Sequence, residues 1–307
     1  MTPIRIAIIG CGAIGGLYAA HLAQLDGVEV WAYDVSEDQI AAINRNGLRI
    51  HGHVDLVARV NARADAAELP ACSFGIVATK GTFTAAAITA TAPAFSDAAV
   101  CSVQNGIGNE EVIAEHVNRV MRGVTLPAGH VTAPGVIHMD APGTTWIGPF
   151  EPRPAAAAEV SQLAELLTRS GMPTLALADA RGAQWTKLLF NASTNPLCAL
   201  TGLTHGALCD LAPTRRLVGA LVAEGRSVAD AIGVVLDADP EVLIDEAARI
   251  NHDHKPSMLQ DAIAHRRTEI ATLNGGIVRT GADAGVPTPL HTAITELIAG
   301  LEHSWEA

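Results

Sequence analysis

Ile4-Arg5-Ile6-Ala7-Ile8-Ile9-Gly10-Cys11-Gly12-Ala13-Ile14-Gly15 is the stretch on which the fold turns. The apolar run ending at a glycine reads as a buried strand, and residues 13–24 beyond it carry the pattern of a helix. Glycines at 10, 12 and 15 between the two suit a turn that cradles a pyrophosphate. The first permits the tight turn, the second lets the backbone approach the phosphates, and the third lets helix pack on strand. The helix N-terminus adds N–H donors. Gly10, Cys11, Gly12, Ala13, Ile14 and Gly15 are therefore assigned to a dinucleotide. The bland alternative is a glycine-rich turn with no ligand, against which the preceding strand and following helix weigh.

Working outward, residues 28–33, 74–79 and 98–103 repeat the short apolar block, and residues 36–44 and 83–91 repeat the helical pattern. Alternation of this kind predicts a parallel sheet with right-handed crossovers. From about residue 119 to 147, strand-like stretches are broken by Ala133-Pro134-Gly135 and Ala141-Pro142-Gly143, which predicts antiparallel strands extending that sheet at one edge. A helix follows from Pro152-Arg153-Pro154 to about residue 170, then a last strand over 174–178. After Asp179, residues 179–194, 213–236, 240–250, 269–284 and 292–301 all show helical spacing. The expectation is an α/β protein. Residues 1–178 form a Rossmann-type parallel-sheet domain, and residues 179–307 form an all-α domain for substrate binding and dimerisation.

With 49% hydrophobic and 17% charged residues, the 307-residue chain has ample core for two domains and is not disordered. Twenty Lys and Arg against 32 Asp and Glu give a net charge of −12, which argues against nucleic acid as a partner. The five cysteines Cys11, Cys72, Cys101, Cys198 and Cys209 are scattered and odd in number, as expected in a reducing, cytoplasmic setting. Met1-Thr2-Pro3 runs straight into the first strand and no long apolar stretch follows, so neither a secretory leader nor a membrane span is expected.

The second strand ends Trp31-Ala32-Tyr33-Asp34, about 20 residues past the loop, where an acidic side chain accepts from ribose hydroxyls and opposes a 2′-phosphate. NAD is thus expected over NADP. The alternative is that Asp34 merely caps the next helix, a task Ser36 could perform. Lys80 and the run Gln104-Asn105-Gly106-Ile107-Gly108-Asn109-Glu110 follow later strands, at the ends where an open α/β sheet keeps its ligand.

With these residues the sequence resembles the ketopantoate reductase family. Trp185-Thr186-Lys187-Leu188-Leu189 followed by Asn191-Ala192-Ser193-Thr194-Asn195-Pro196-Leu197 is similar to that family's catalytic helix. Ser257-Met258-Leu259-Gln260-Asp261 through Thr268-Glu269-Ile270 is similar to its second signature, and Gly285-Val286-Pro287-Thr288-Pro289 fits its ending. The resemblance covers essentially the whole chain. It implies a 2-oxo acid or 2-hydroxy acid substrate in a cleft between the domains, with Ser257 on the substrate carboxylate and Glu269 close to the cofactor, as Lys80 and Asn105 are placed to be. The residues agree: Lys187, Asn191 and Asn195 fall at i, i+4 and i+8 on one helical face, and Pro196 is expected to end the helix. A lysine ammonium can protonate the alkoxide formed as hydride reaches carbon, with asparagines holding the acid. Lys187 and Asn191 are assigned to catalysis, and Asn195 and Ser257 to substrate.

The chain departs from that family at His205 and His254, where asparagines are expected. Two imidazoles change the size of a substrate pocket and either could become cationic near neutral pH, so both are assigned to substrate and a substrate other than ketopantoate is expected. Alternatives are an NAD-dependent D-2-hydroxy acid dehydrogenase acting on a branched, aromatic or more polar acid, and a nucleotide-binding sensor without turnover. His51 with His53, His252 with His254, and His205 with Cys209 lack a catalytic zinc spacing, so no metal is assigned. The partner is a small molecule, and a homodimer is possible.

Overall fold

In the computed structural model, which describes residues 3–305, the chain divides into two units: residues up to 104 with 109–180, and residues 105–108 with those from 181 on. The first unit contains β1 (Ile4–Ile9), α1 (Ala13–Leu22), β2 (Val28–Tyr33), α2 (Glu37–Asn46), β3 (Leu48–Gly52), β4 (Leu56–Ala58), β5 (Asn61–Arg63), β6 (Phe74–Val77), α3 (Thr84–Thr91), β7 (Ala99–Ser102), α4 (Asn109–Ala114), β8 (Val120–Thr125), β9 (Ala128–Ala133), β10 (Val136–Ala141), β11 (Thr145–Pro149), α5 (Ala157–Arg169) and β12 (Thr174–Ala176). Eight strands form one sheet in the order β12-β11-β8-β7-β6-β1-β2-β5, parallel from β8 to β5, with β11 antiparallel to β8 and β12 parallel to β11. Strand order reverses at β1, so the loop after β1 opens at the switch point where such sheets bind ligands.

The expectation that all the strands of residues 119–147 extend this sheet is corrected. Only β8 and β11 join it. β9 and β10 form a second sheet, β4-β3-β10-β9, with two strands for which the sequence pattern carried no expectation. The reason lies in α1, whose Leu17, Tyr18, Ala19, Ala20 and Leu22 are all buried, so it needs cover on more than one side. Leu48, Ile50, Ile137 and Met139 of the second sheet belong to the same core as α1. Packing is close: a side chain at Gly16 would stand 2.1 Å from Ile137 Cδ1.

The second unit is helical: α6 (Arg181–Thr201), α7 (His205–Asp210), α8 (Ala212–Ala231), α9 (Pro240–Ile250), α10 (Ser257–Ile263), α11 (Asn274–Ala284) and α12 (Pro289–His303). Its core gathers Trp185, Leu188, Leu189, Leu221, Val222, Ile277 and Ile298 among others. The helix expected to reach residue 236 ends at Ala231, just before Gly233 at φ +69°, and α7 and α10 lie where no helix was expected. Two further boundaries differ for reasons that lie elsewhere in the chain. α6 runs through Pro196 to Thr201, because Asn274 Nδ2 donates to the Ala192 carbonyl that the proline leaves without its helical partner. The helix expected from residue 269 starts at Asn274, because the Glu269 carbonyl accepts from Thr272 N and Leu273 N in a preceding turn. Residues 105–108 are bound to that turn: Ile107 N donates to Thr272 O at 2.9 Å, and Gly106, at φ +84°, lies so close that a Cβ would be 2.3 Å from Thr272 O. No helix among the described residues is long and apolar enough to cross a membrane.

Candidate active site

In the first unit the glycine loop has the three properties a dinucleotide requires. Gly10 sits at φ +92°, and a Cβ on Gly15 would stand 1.9 Å from the Gly10 carbonyl, so neither position admits a side chain. Gly12, by contrast, faces open space, with nothing within 4 Å of an added Cβ. Gly12 also begins α1 without a side-chain cap, leaving first-turn N–H groups of Ala13 and its neighbours for an anion. Ile14 packs against the core. Cys11 is buried with its Sγ toward Tyr33 O, and burial together with the Asp34 charge pushes its thiol pKa up, so it stays protonated.

Asp34 accepts from Cys11 N at 2.7 Å through one oxygen and from Ser36 N at 2.9 Å through the other, while Ser36 Oγ caps α2 by accepting from Gln39 N. Asp34 therefore braces the loop from the end of β2, and the helix cap belongs to Ser36. Gln39, which the sequence reading missed, donates to Cys11 O and accepts from Gly135 N, each at 2.8 Å. Lys80 is half-buried just past β6, next to Thr79, whose carbonyl and hydroxyl accept from Gln104 Nε2.

In the second unit one hydrogen-bonded chain joins three of the assigned residues. Lys187 Nζ donates to Asn105 Oδ1 at 2.8 Å, and Asn105 Nδ2 donates to Glu269 Oε2 at 2.9 Å. The carboxylate can only accept, which orients the amide and turns its oxygen to the ammonium. Burial lowers the Lys187 pKa from the ordinary 10.5 to about 8, the nearby negative Glu269 opposing the fall. Gln184 Nε2 donates to Gly106 O at 3.3 Å and holds the same loop. Half-buried Asn191 and buried Asn195 follow Lys187 at one-turn steps along α6, and Asn195 Oδ1 accepts from Thr194 Oγ1. Ser257 is exposed as the first residue of α10.

The structure brings His205 and His254 together through the backbone, with His205 N donating to His254 O and Gly206 N to His252 O, both at 2.9 Å. The expectation that His205 could be cationic is corrected. It is 2% exposed, stacks on Phe190 and bonds through Nε2 to the Ile244 carbonyl, and burial lowers its pKa. A carbonyl accepts only from N–H, so the single proton sits on Nε2 and Nδ1 is an acceptor. His254 itself is exposed. Asn274 was also missed. The one signal for it is the proline inside a helical pattern, which calls for a foreign donor without saying from where. No group of three or more His, Cys, Asp or Glu among the described residues is placed to hold a metal ion.

The model of the family described as ketopantoate reductase PanE/ApbA matches residues 6–152, and that of its C-terminal part matches residues 179–302. A 2-dehydropantoate 2-reductase of Archaeoglobus fulgidus is 31% identical over 98% of this chain and 99% of its own length. The chain belongs to the ketopantoate reductase family. As a family member it is an NAD(P)-dependent oxidoreductase acting on a CH–OH group. Another relative, the 2-dehydropantoate 2-reductase of Pyrococcus horikoshii, is 31% identical over 97% of this chain and 98% of its own. Among solved structures, a PanE/ApbA family ketopantoate reductase from Ralstonia eutropha superposes with a TM-score of 0.90 at 29% identity, over 99% of this chain and all of that one. A D-mandelate dehydrogenase with NADH and anilino(oxo)acetate also gives a TM-score of 0.90, at 26% identity over 99% and 100% of the two chains.

Proposed function

We propose that the protein reduces a 2-oxo acid to the 2-hydroxy acid with NADH, Lys187 giving the proton to the developing alkoxide. The observation that carries this reading is the bonded chain Lys187–Asn105–Glu269 around an ammonium whose pKa lies at about 8. A general acid works best with a pKa near the operating pH, and an ordinary lysine at 10.5 would release its proton too reluctantly. Asn105 directs the ammonium and Glu269 keeps Asn105 turned the right way. Asn191 and Asn195, on the Lys187 face of α6, hold the acid, and Ser257 takes its carboxylate. Gly12 and the first N–H groups of α1 would hold the pyrophosphate, with Asp34 on the ribose hydroxyls and Lys80 reaching the same ligand. A bound nicotinamide dinucleotide supplies the hydride.

The preferred substrate is a 2-oxo acid other than ketopantoate, larger or bearing a second polar group. Its pocket is assigned His205 and His254 where the family resemblance implies amides. A neutral His205, with Nδ1 as acceptor, suits a donor group or an aromatic face and offers no cation to a second carboxylate. Likeness to a D-mandelate dehydrogenase favours a branched or aromatic acid. The test is a panel of 2-oxo acids with NADH and with NADPH, expected to show NADH-dependent turnover of such an acid ahead of ketopantoate. His205→Asn combined with His254→Asn should move preference toward ketopantoate. A kcat/KM for ketopantoate of about 10⁴ M⁻¹s⁻¹ or more, highest in the panel, sinks the substrate assignment. Binding of NADH with no turnover of any acid leaves the sensor reading instead.

A further inference from the structure

Pro196 stands inside α6, where a proline donates no N–H and pushes back the carbonyl four residues before it. That carbonyl belongs to Ala192, next to Asn191 and in the turn leading to Asn195. Asn274 Nδ2 donates to it at 2.9 Å, and the same Nδ2 meets His291 Nδ1 at 3.0 Å. The arrangement is dictated from its far end. The Leu221 carbonyl is bonded to His291 Nε2 at 3.0 Å, so the imidazole proton sits on Nε2, Nδ1 is an acceptor, and only the NH₂ of Asn274 can face it. Burial keeps this histidine neutral, and Glu224 fixes its backbone by accepting from Leu290 N and His291 N. Asn274 and His291 are both fully buried. Asn274 Oδ1 is buried too and has no partner among the described residues, so the amide sits there for its two N–H bonds.

Asn274 is also the first residue of α11, five residues past Glu269, and the intervening turn closes on the Glu269 carbonyl. The Glu269 segment is thus tied to α6 twice: at Lys187 through Asn105, and at Ala192 through Asn274. We infer that Asn274 is a positioning residue, which takes the carbonyl released by Pro196, ties α6 to the Glu269 segment there, and so holds Lys187 in register with Asn105 and Glu269. The inference deepens the function proposed above and rests on it for its catalytic consequence.

A double-mutant comparison tests it. Asn274→Ala alone strands a buried carbonyl and can fail to fold, whereas Pro196→Ala returns an N–H to the helix for Ala192, so Asn274→Ala is made in the Pro196→Ala background. The deciding readout is the Lys187 pKa, followed by NMR after reductive ¹³C-methylation of lysines, with Lys187→Arg to assign the signal. Relative to Pro196→Ala, the double variant should stay folded with a melting temperature lowered by the His291 Nδ1 left without its donor, lose about tenfold or more in kcat with KM for NADH within about twofold, and show the Lys187 pKa moved from about 8 toward 10.5 as the ammonium gains water. A Lys187 pKa and kcat both equal to those of Pro196→Ala would mean that Asn274 only satisfies a carbonyl, and would overturn the inference. If the unmodified protein turns over no 2-oxo acid, the functional reading falls, while the lysine titration still decides the role of Asn274.

Discussion

Lys187 shows how little of a residue's chemistry lies in its type. In sequence it is a lysine on a helix. Burial brings its pKa to about 8, and Asn105 and Glu269 give it direction. Lys187→Ala should lower kcat by roughly 10²–10⁴-fold with NADH affinity nearly unchanged, since a general acid acts in the transition state; lost NADH binding with kcat intact would move Lys187 to the nucleotide site. The sign of the pH dependence follows from the proposed role. Reduction needs the ammonium, so kcat/KM should fall as pH rises through about 8, and oxidation of the hydroxy acid needs the free amine and should rise over the same range. A flat reductive profile from pH 7 to 9 would exclude Lys187 as the donor. Asp34→Ser should narrow the NADH to NADPH preference, chiefly by improving NADPH, and an unmoved ratio of kcat/KM would leave Asp34 only its bonds to Cys11 N and Ser36 N.

At the scale of elements, the glycine loop was legible because each glycine meets a local constraint. Gly10 needs a positive φ and Gly15 a bare helix surface, while Gly12 must leave room. Gly15→Ala puts a methyl 1.9 Å from the Gly10 carbonyl, which only a parting of α1 from β1 relieves. NADH affinity, read by fluorescence titration, should fall at least about tenfold, and unchanged affinity would remove the pyrophosphate from this turn. α6 was legible in part. The one-face spacing of Lys187, Asn191 and Asn195 needed only helical geometry, but the local rule for proline ended the helix too early. The rule failed because Asn274, 78 positions on from Pro196, supplies the missing bond. The pairing of β9 and β10 was likewise illegible, since alternation marks a strand without naming its neighbour.

At the scale of the whole molecule, each unit carries its own apolar core. A ligand bound only by the folded first unit stabilises it by mass action, about 2.7 kcal/mol at a concentration 100 times Kd. NADH should therefore raise the melting temperature more than NADPH at equal concentration, and an equal shift by both would contradict the role given to Asp34.

The sequence by itself determined the α/β unit followed by helices, the glycine loop between β1 and α1 and the polar face of α6, because each rests on contacts between residues near in the chain or on a periodicity that one element imposes. Tertiary structure alone decided the second sheet over α1, the neutral state of His205, the passage of α6 through Pro196 and the lowered pKa of Lys187. Those depend on which distant groups arrive beside a given atom, and on how much water they exclude, and neither quantity is written in the order of the residues.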